Sequence, residues 1–104
     1  MNAKPIRRIA LIGFGEAGGI FGQDFAATGF EVSATDVLLR QEHSRVAMLE
    51  KARRAKVRAF DSLPEAVRDA DLVISAVTCS AAAEVADEAK GALCAGQVFL
   101  DINS

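Results

Sequence analysis

The sequence predicts a doubly wound α/β domain, a parallel sheet of about five strands in the order 3-2-1-4-5 with helices on both faces. Three observations carry that expectation. Short apolar runs alternate with stretches of helical periodicity along the chain. The first run ends in a glycine-rich turn, Gly13-Phe14-Gly15-Glu16-Ala17-Gly18, which leads directly into a helical pattern. No internal repeat, linker or low-complexity segment divides residues 1–104, so one domain accounts for them.

Arg8-Ile9-Ala10-Leu11-Ile12 is the apolar run of a parallel strand buried on both faces. From Glu16 a helix is expected whose apolar stripe is Ala17, Ile20, Phe21, Phe25 and Thr28, with Gly29 as a left-handed stop. Residues 31–36 then form a second strand. A helix over roughly 40–55 follows, its apolar members being Val46, Met48 and Leu49. Residues 56–60 read as a short third strand. Ser62-Leu63-Pro64-Glu65 has capping-box spacing and a proline suited to a first turn, which starts a helix reaching about Asp69. Residues 72–77 are the clearest buried strand. Ser80 is expected to cap a helix with Ala82, Val85, Ala86 and Ala89 on its apolar stripe and Gly91 near its end. Residues 97–102 make the fifth strand.

Composition narrows the range of functions. Hydrophobic residues are 51% and charged residues 25%, the balance of an ordinary globular domain. Twelve Lys and Arg against fourteen Asp and Glu leave a net charge of -2, so charge points to neither nucleic acid nor a membrane surface as partner. No apolar stretch approaches the ~20 residues of a membrane helix, and the basic N-terminus lacks signal-peptide length, so the expected location is the cytoplasm. Cys79 and Cys94 have neither CxxC nor metal-ligand spacing and read as reduced, small apolar residues. His43 lies among Gln41, Glu42 and Arg45 on a solvated helix face, and no metal site is expected.

The chemistry sits in the glycine-rich turn. GxGxxG between a buried strand and a helix is the phosphate-binding arrangement of Rossmann-type folds. Gly13 permits the tight turn, Gly15 lets backbone approach a diphosphate, and Gly18 lets helix and strand pack closely, a thin face that Gly19 and Gly22 extend. Amides at the helix N-terminus then favour an anion with no Lys or Arg in the loop. Asp36 closes the second strand 18 positions after Gly18 (36 minus 18), close to the ~20-residue separation at which a carboxylate meets the adenosine ribose. That carboxylate opposes a 2'-phosphate and favours NAD. Arg40, one turn on, could pair with such a phosphate and keeps NADP as the alternative.

Three segments together, Ile12 to Gly18, the approach from Ala70 through Ile74 to Val77-Thr78, and Asp101-Ile102-Asn103-Ser104, resemble the NAD-binding domain of the 3-hydroxyisobutyrate and 6-phosphogluconate dehydrogenase family. The resemblance covers nearly all of the chain. It implies that Val77 and Thr78 lie against the cofactor, together with Gly13, Phe14, Gly15, Glu16, Ala17, Gly18, Asp36 and Arg40, and that Ser104 begins a substrate-binding serine motif. It also implies hydride transfer between a nicotinamide and a small hydroxy acid, in a longer enzyme whose N-terminal part is this domain and which is expected to be a homodimer. The family's catalytic lysine matches no position here: Lys51, Lys56 and Lys90 read as solvated surface residues, and no catalytic residue is assigned. Most members carry methionine before the third glycine, whereas Ala17 is shared with a phosphogluconate dehydrogenase-like branch. Two other readings stand beside this one, a non-catalytic nucleotide-binding module and a methyltransferase, whose loop usually has a different spacing.

Overall fold

The computed structural model describes residues 5–102, apart from the side chains of Cys79 and Ser80. Strands β1 (Arg8–Ile12), β2 (Glu31–Thr35), β3 (Arg58–Ala59), β4 (Leu72–Ser75) and β5 (Val98–Asp101) alternate with helices α1 (Glu16–Thr28), α2 (Glu42–Ala55), α3 (Leu63–Val67) and α4 (Cys79–Ala92). The strands form one sheet in the order β3-β2-β1-β4-β5, parallel throughout, as expected. Helices α1 and α2 cover one face, and α3 and α4 the other.

The two-residue period of β1 divides the core. Ile9 and Leu11 join Val32, Ala34 and Ile74 under Met48 and Ala52 of α2. Ala10 and Ile12 join Val73 under Leu63, Val67 and Ala89. β1 pairs with β2 and β4, so its apolar side chains are buried on both faces.

Several boundaries differ from the sequence reading, each for a local reason. The helix expected over 40–55 divides into a 3-10 turn, Val37–Arg40, and α2. Asp36 caps the turn through Leu38 N–H, and Gln41 is extended between the two. Lys56 is taken up as the left-handed cap of α2 (φ +60), which shortens the third strand to Arg58–Ala59. The fourth strand ends at Ser75, leaving Val77 in the following loop. α4 starts at Cys79 with Thr78 at the N-cap, so Ser80 is not the cap. Ser62 does cap α3, its Oγ accepting from Glu65 N–H while donating to the Glu65 carboxylate. That helix stops at Val67.

Of the stripe expected on α1, Phe25 packs partly buried against the core, while the rest does not form the buried face. Ile20 and Phe21 are exposed, and the residues buried are Gly18, Gly19 and Gly22. A Cβ on Gly22 would lie 2.9 Å from Phe14 Cε1 and 3.0 Å from Leu11 Cδ1. Close approach of the helix backbone makes this contact at the first two turns, and Phe25 and Ala26 pack against the core beyond it. α2 likewise buries Met48, Ala52 and Ala55 and exposes Val46 and Leu49. Gly22→Val should therefore destabilise the domain by roughly 1–3 kcal/mol through overpacking. Thermal unfolding followed by circular dichroism checks this; an unchanged midpoint would mean that α1 can stand off the sheet.

Candidate functional site

The site is assembled where β1, β2 and β4 end together. Gly13 N–H donates to Thr35 O at 2.8 Å, and Ala76 N–H donates to Ile12 O at 2.8 Å. Gly13 has φ +100, and a Cβ there would lie 2.6 Å from Ala76 O, so both conformation and space demand glycine. A Cβ on Gly18 would lie 2.1 Å from Gly13 O, which sets the height of α1 above the strand end. Gly15 differs from both. Nothing lies within 4 Å of where its Cβ would stand.

Phe14 is held from two sides. Its side chain is buried beneath the loop, and its N–H donates to Asp36 Oδ2 at 2.7 Å. The other oxygen of that carboxylate accepts from Leu38 N–H at 2.9 Å, so the acid fastens the glycine loop to the turn after β2. The carbonyls of Phe14 and Gly15 both accept from Lys51 Nζ, at 2.8 Å each, and that ammonium lies 5.0 Å from the Phe14 ring centroid. Lys51 is therefore no freely solvated lysine. It braces the loop, a role that spacing could not reveal because Lys51 lies 37 and 36 positions from the two residues it holds.

A cleft of about 240 Å³ opens over these strand ends. It brings together six of the residues singled out from the sequence, Gly13, Gly15, Asp36, Arg40, Val77 and Thr78. Phe14 and Gly18 are buried instead, while Glu16 and Ala17 are exposed at the start of α1 and have no side chain in the cleft lining. Ser104 lies outside the described residues. Sequence reasoning missed Thr35, Val37, Leu63 and Ala76, along with Ala81, Val85 and Glu88 of α4. The last three are spaced i, i+4 and i+7, so one helix face supplies a wall, a signal that was present once α4 was known to flank the cleft.

Two features of this cleft fit a dinucleotide. Among the described residues the amides of Gly15, Glu16 and Ala17 have no acceptor, as at an open helix N-terminus. The Thr35 hydroxyl, which borders the cleft, is buried with no hydrogen-bond partner, an unmet capacity that folded proteins rarely leave. Arg40 is exposed at the rim, its guanidinium making one long contact of 3.4 Å to Asp61 O.

The family model described as NADP oxidoreductase coenzyme F420-dependent matches residues 8–104. The chain belongs to that family. Among solved structures, a conserved hypothetical protein from Sinorhizobium meliloti 1021 is 27% identical, with a TM-score of 0.90 over 97% of this chain. 5-formyl-3-hydroxy-2-methylpyridine 4-carboxylic acid 5-dehydrogenase, described as an NAD+ dependent dismutase, is 26% identical with a TM-score of 0.79 over 96% of the chain. Mycobacterium tuberculosis 3-hydroxyisobutyrate dehydrogenase, at 24% identity and a TM-score of 0.79 over 95% of the chain, shares the fold. The chain spans about a third of the length of these proteins, 34%, 38% and 32% respectively. No protein of curated function matches it. This is an NAD(P)-binding domain of oxidoreductase type with a Rossmann-like sheet.

In this family member the Gly13–Gly18 contact should tolerate no methyl. Gly18→Ala should lower stability by about 2 kcal/mol or more, because a backbone carbonyl cannot move aside as a side chain can. Gly15→Ala, with open space around it, should cost under about 1 kcal/mol. Chemical denaturation of the two variants side by side tests the contrast, and equal losses would show that Gly18 has room.

Proposed function

We propose that this domain binds NADH with its diphosphate on the amides of Gly15, Glu16 and Ala17 and its adenosine in the cleft between the turn after β2 and α4. The observation that carries this reading is Gly15. Neither its φ nor its neighbours require glycine, yet it borders the cleft, so what the missing side chain leaves room for is a ligand. Val37 on one side and Val77, Ala81 and Val85 on the other offer apolar surfaces suited to a purine. Asp36, although it accepts from two amides, retains lone pairs for a ribose hydroxyl.

In the full-length enzyme the reaction we propose is hydride transfer between the nicotinamide and the hydroxyl-bearing carbon of a small hydroxy acid. Bound nicotinamide supplies the hydride acceptor or donor. Residues of this chain bind and orient it, with Ser104 proposed to begin the substrate-binding segment. The resemblance to the 3-hydroxyisobutyrate and 6-phosphogluconate dehydrogenases supports the substrate class, and Ala17 supports the phosphogluconate dehydrogenase-like branch. The family description and the NAD+ dependent neighbour support a pyridine nucleotide. Gly15→Val should remain folded and lose NADH binding, read as loss of the fluorescence change on titration; normal titration by the folded variant overturns the loop assignment.

A second reading, NADP as cofactor, is favoured by Arg40 at the cleft rim and by the family's description. We place NAD first because a 2'-phosphate beside Asp36 would meet a like charge. Wild-type protein should bind NADH more tightly than NADPH, and Asp36→Asn should narrow the gap. Parallel titrations decide it: equal or tighter NADPH binding by wild type would mean that Arg40 outweighs Asp36.

A further inference from the structure

Lys51 enters the site from the side that the cofactor reading does not use. It lines the surface on the far side of the glycine loop, with Phe14, Glu16 and Gly19, whereas Gly15 lines the cleft. The positive end of the α1 dipole repels an ammonium at this place. Specific contacts hold it there nonetheless: two carbonyl acceptors, the Phe14 ring, and the space left by Gly19, where a Cβ would lie 2.7 Å from Lys51 Cε and 2.9 Å from Nζ. Among the described residues no carboxylate pairs with it.

The consequence follows from peptide planarity. In a trans peptide the C=O and the next N–H point in opposite directions. The peptide carrying Phe14 O also carries Gly15 N–H, and the one carrying Gly15 O carries Glu16 N–H. Gly15 O also accepts from Gly19 N–H at 2.8 Å, so the first turn of α1 already fixes the Glu16 peptide, whereas the Phe14 carbonyl is drawn toward α2 by Lys51 and leaves Gly15 N–H on the opposite edge of its peptide, at a residue that borders the cleft. We propose that Lys51 is a positioning residue for the anion site, presetting the Phe14–Gly15 peptide plane so that Gly15 N–H faces the diphosphate before it arrives. The proposal rests on the cofactor reading above and adds to it a residue outside the glycine motif. The ammonium acts through the backbone and does not touch the ligand.

The test separates diphosphate from adenosine. Lys51→Met should weaken NADH about tenfold, the loss of roughly one charge-assisted hydrogen-bond pair at an exposed position, while the dissociation constant for adenosine, which has no diphosphate, stays within about twofold. Lys51→Arg should recover most of the NADH affinity. Gly19→Ala is the independent probe, because its methyl meets only the flexible end of Lys51 and should displace the ammonium without removing its charge. It should weaken NADH as Lys51→Met does, and the double variant should be no weaker than either single one, as expected of two changes breaking one contact. NADH binding by Lys51→Met or Gly19→Ala at wild-type strength overturns the proposal, as does parallel loss of NADH and adenosine. Wild-type protein that binds neither ligand overturns the cofactor reading, and this inference with it; wild-type binding of NADH with unaffected variants overturns this inference alone.

Discussion

The approach of Gly18 to the carbonyl of Gly13, which leaves no room for a Cβ, is the constraint on which the site depends. With no Cβ at either position, α1 descends onto the end of β1 until its first turn lies directly over the strand terminus. Gly22, one turn on, continues the approach onto Phe14 and Leu11. The same approach holds Phe14 N–H on Asp36 and Gly15, the N-cap of α1, at the border of the cleft. A helix held a methyl group further away would leave the β2 turn and the loop as separate pieces of surface.

Around that contact, charge is arranged on two sides of one residue. Asp36, from the end of β2, takes the N–H of Phe14; Lys51, from α2, takes its C=O. An anion and a cation from different crossover units thus orient a loop that contains neither Lys nor Arg. The buried Phe14 ring fixes the loop from below and contributes a cation–π contact to the lysine. Orientation of backbone dipoles by fixed charges requires no movement when an anion binds, which is the physical advantage of a preorganised site.

Glycine packing also explains why helical periodicity misled on α1. A stripe of large apolar residues ordinarily marks the core face of a helix. Here the core face is the one with the smallest side chains, and Ile20 and Phe21 are left exposed, with Phe21 stacked on Phe25 at 6.0 Å. On β5 the alternate residues Val98 and Leu100 are exposed as well, on an edge strand that pairs on one side only. Periodicity reports where apolar side chains lie, and a contact made by backbone carries no such signature. On α2 Met48 packs with Ala52 and Ala55, while Val46 and Leu49 face outward.

Sequence by itself determined the sheet order, the helix-strand alternation and the glycine loop, because these follow from local pattern and from the right-handedness of parallel crossovers. The ends of parallel strands lie on one edge, which accounts for Gly13, Gly15, Asp36 and Arg40 lining one cleft, and the family resemblance added Val77 and Thr78, which line it too. Only the tertiary structure decided which face of α1 is buried and where Lys51 goes. The structure supplies the magnitudes: Gly13 has φ +100, a Cβ on Gly18 would lie 2.1 Å from a carbonyl, and nothing lies within 4 Å of where a Gly15 Cβ would stand. The contacts of Lys51 with Phe14 and Gly15 join segments remote in sequence, and the distance between such segments is set only when the chain has packed.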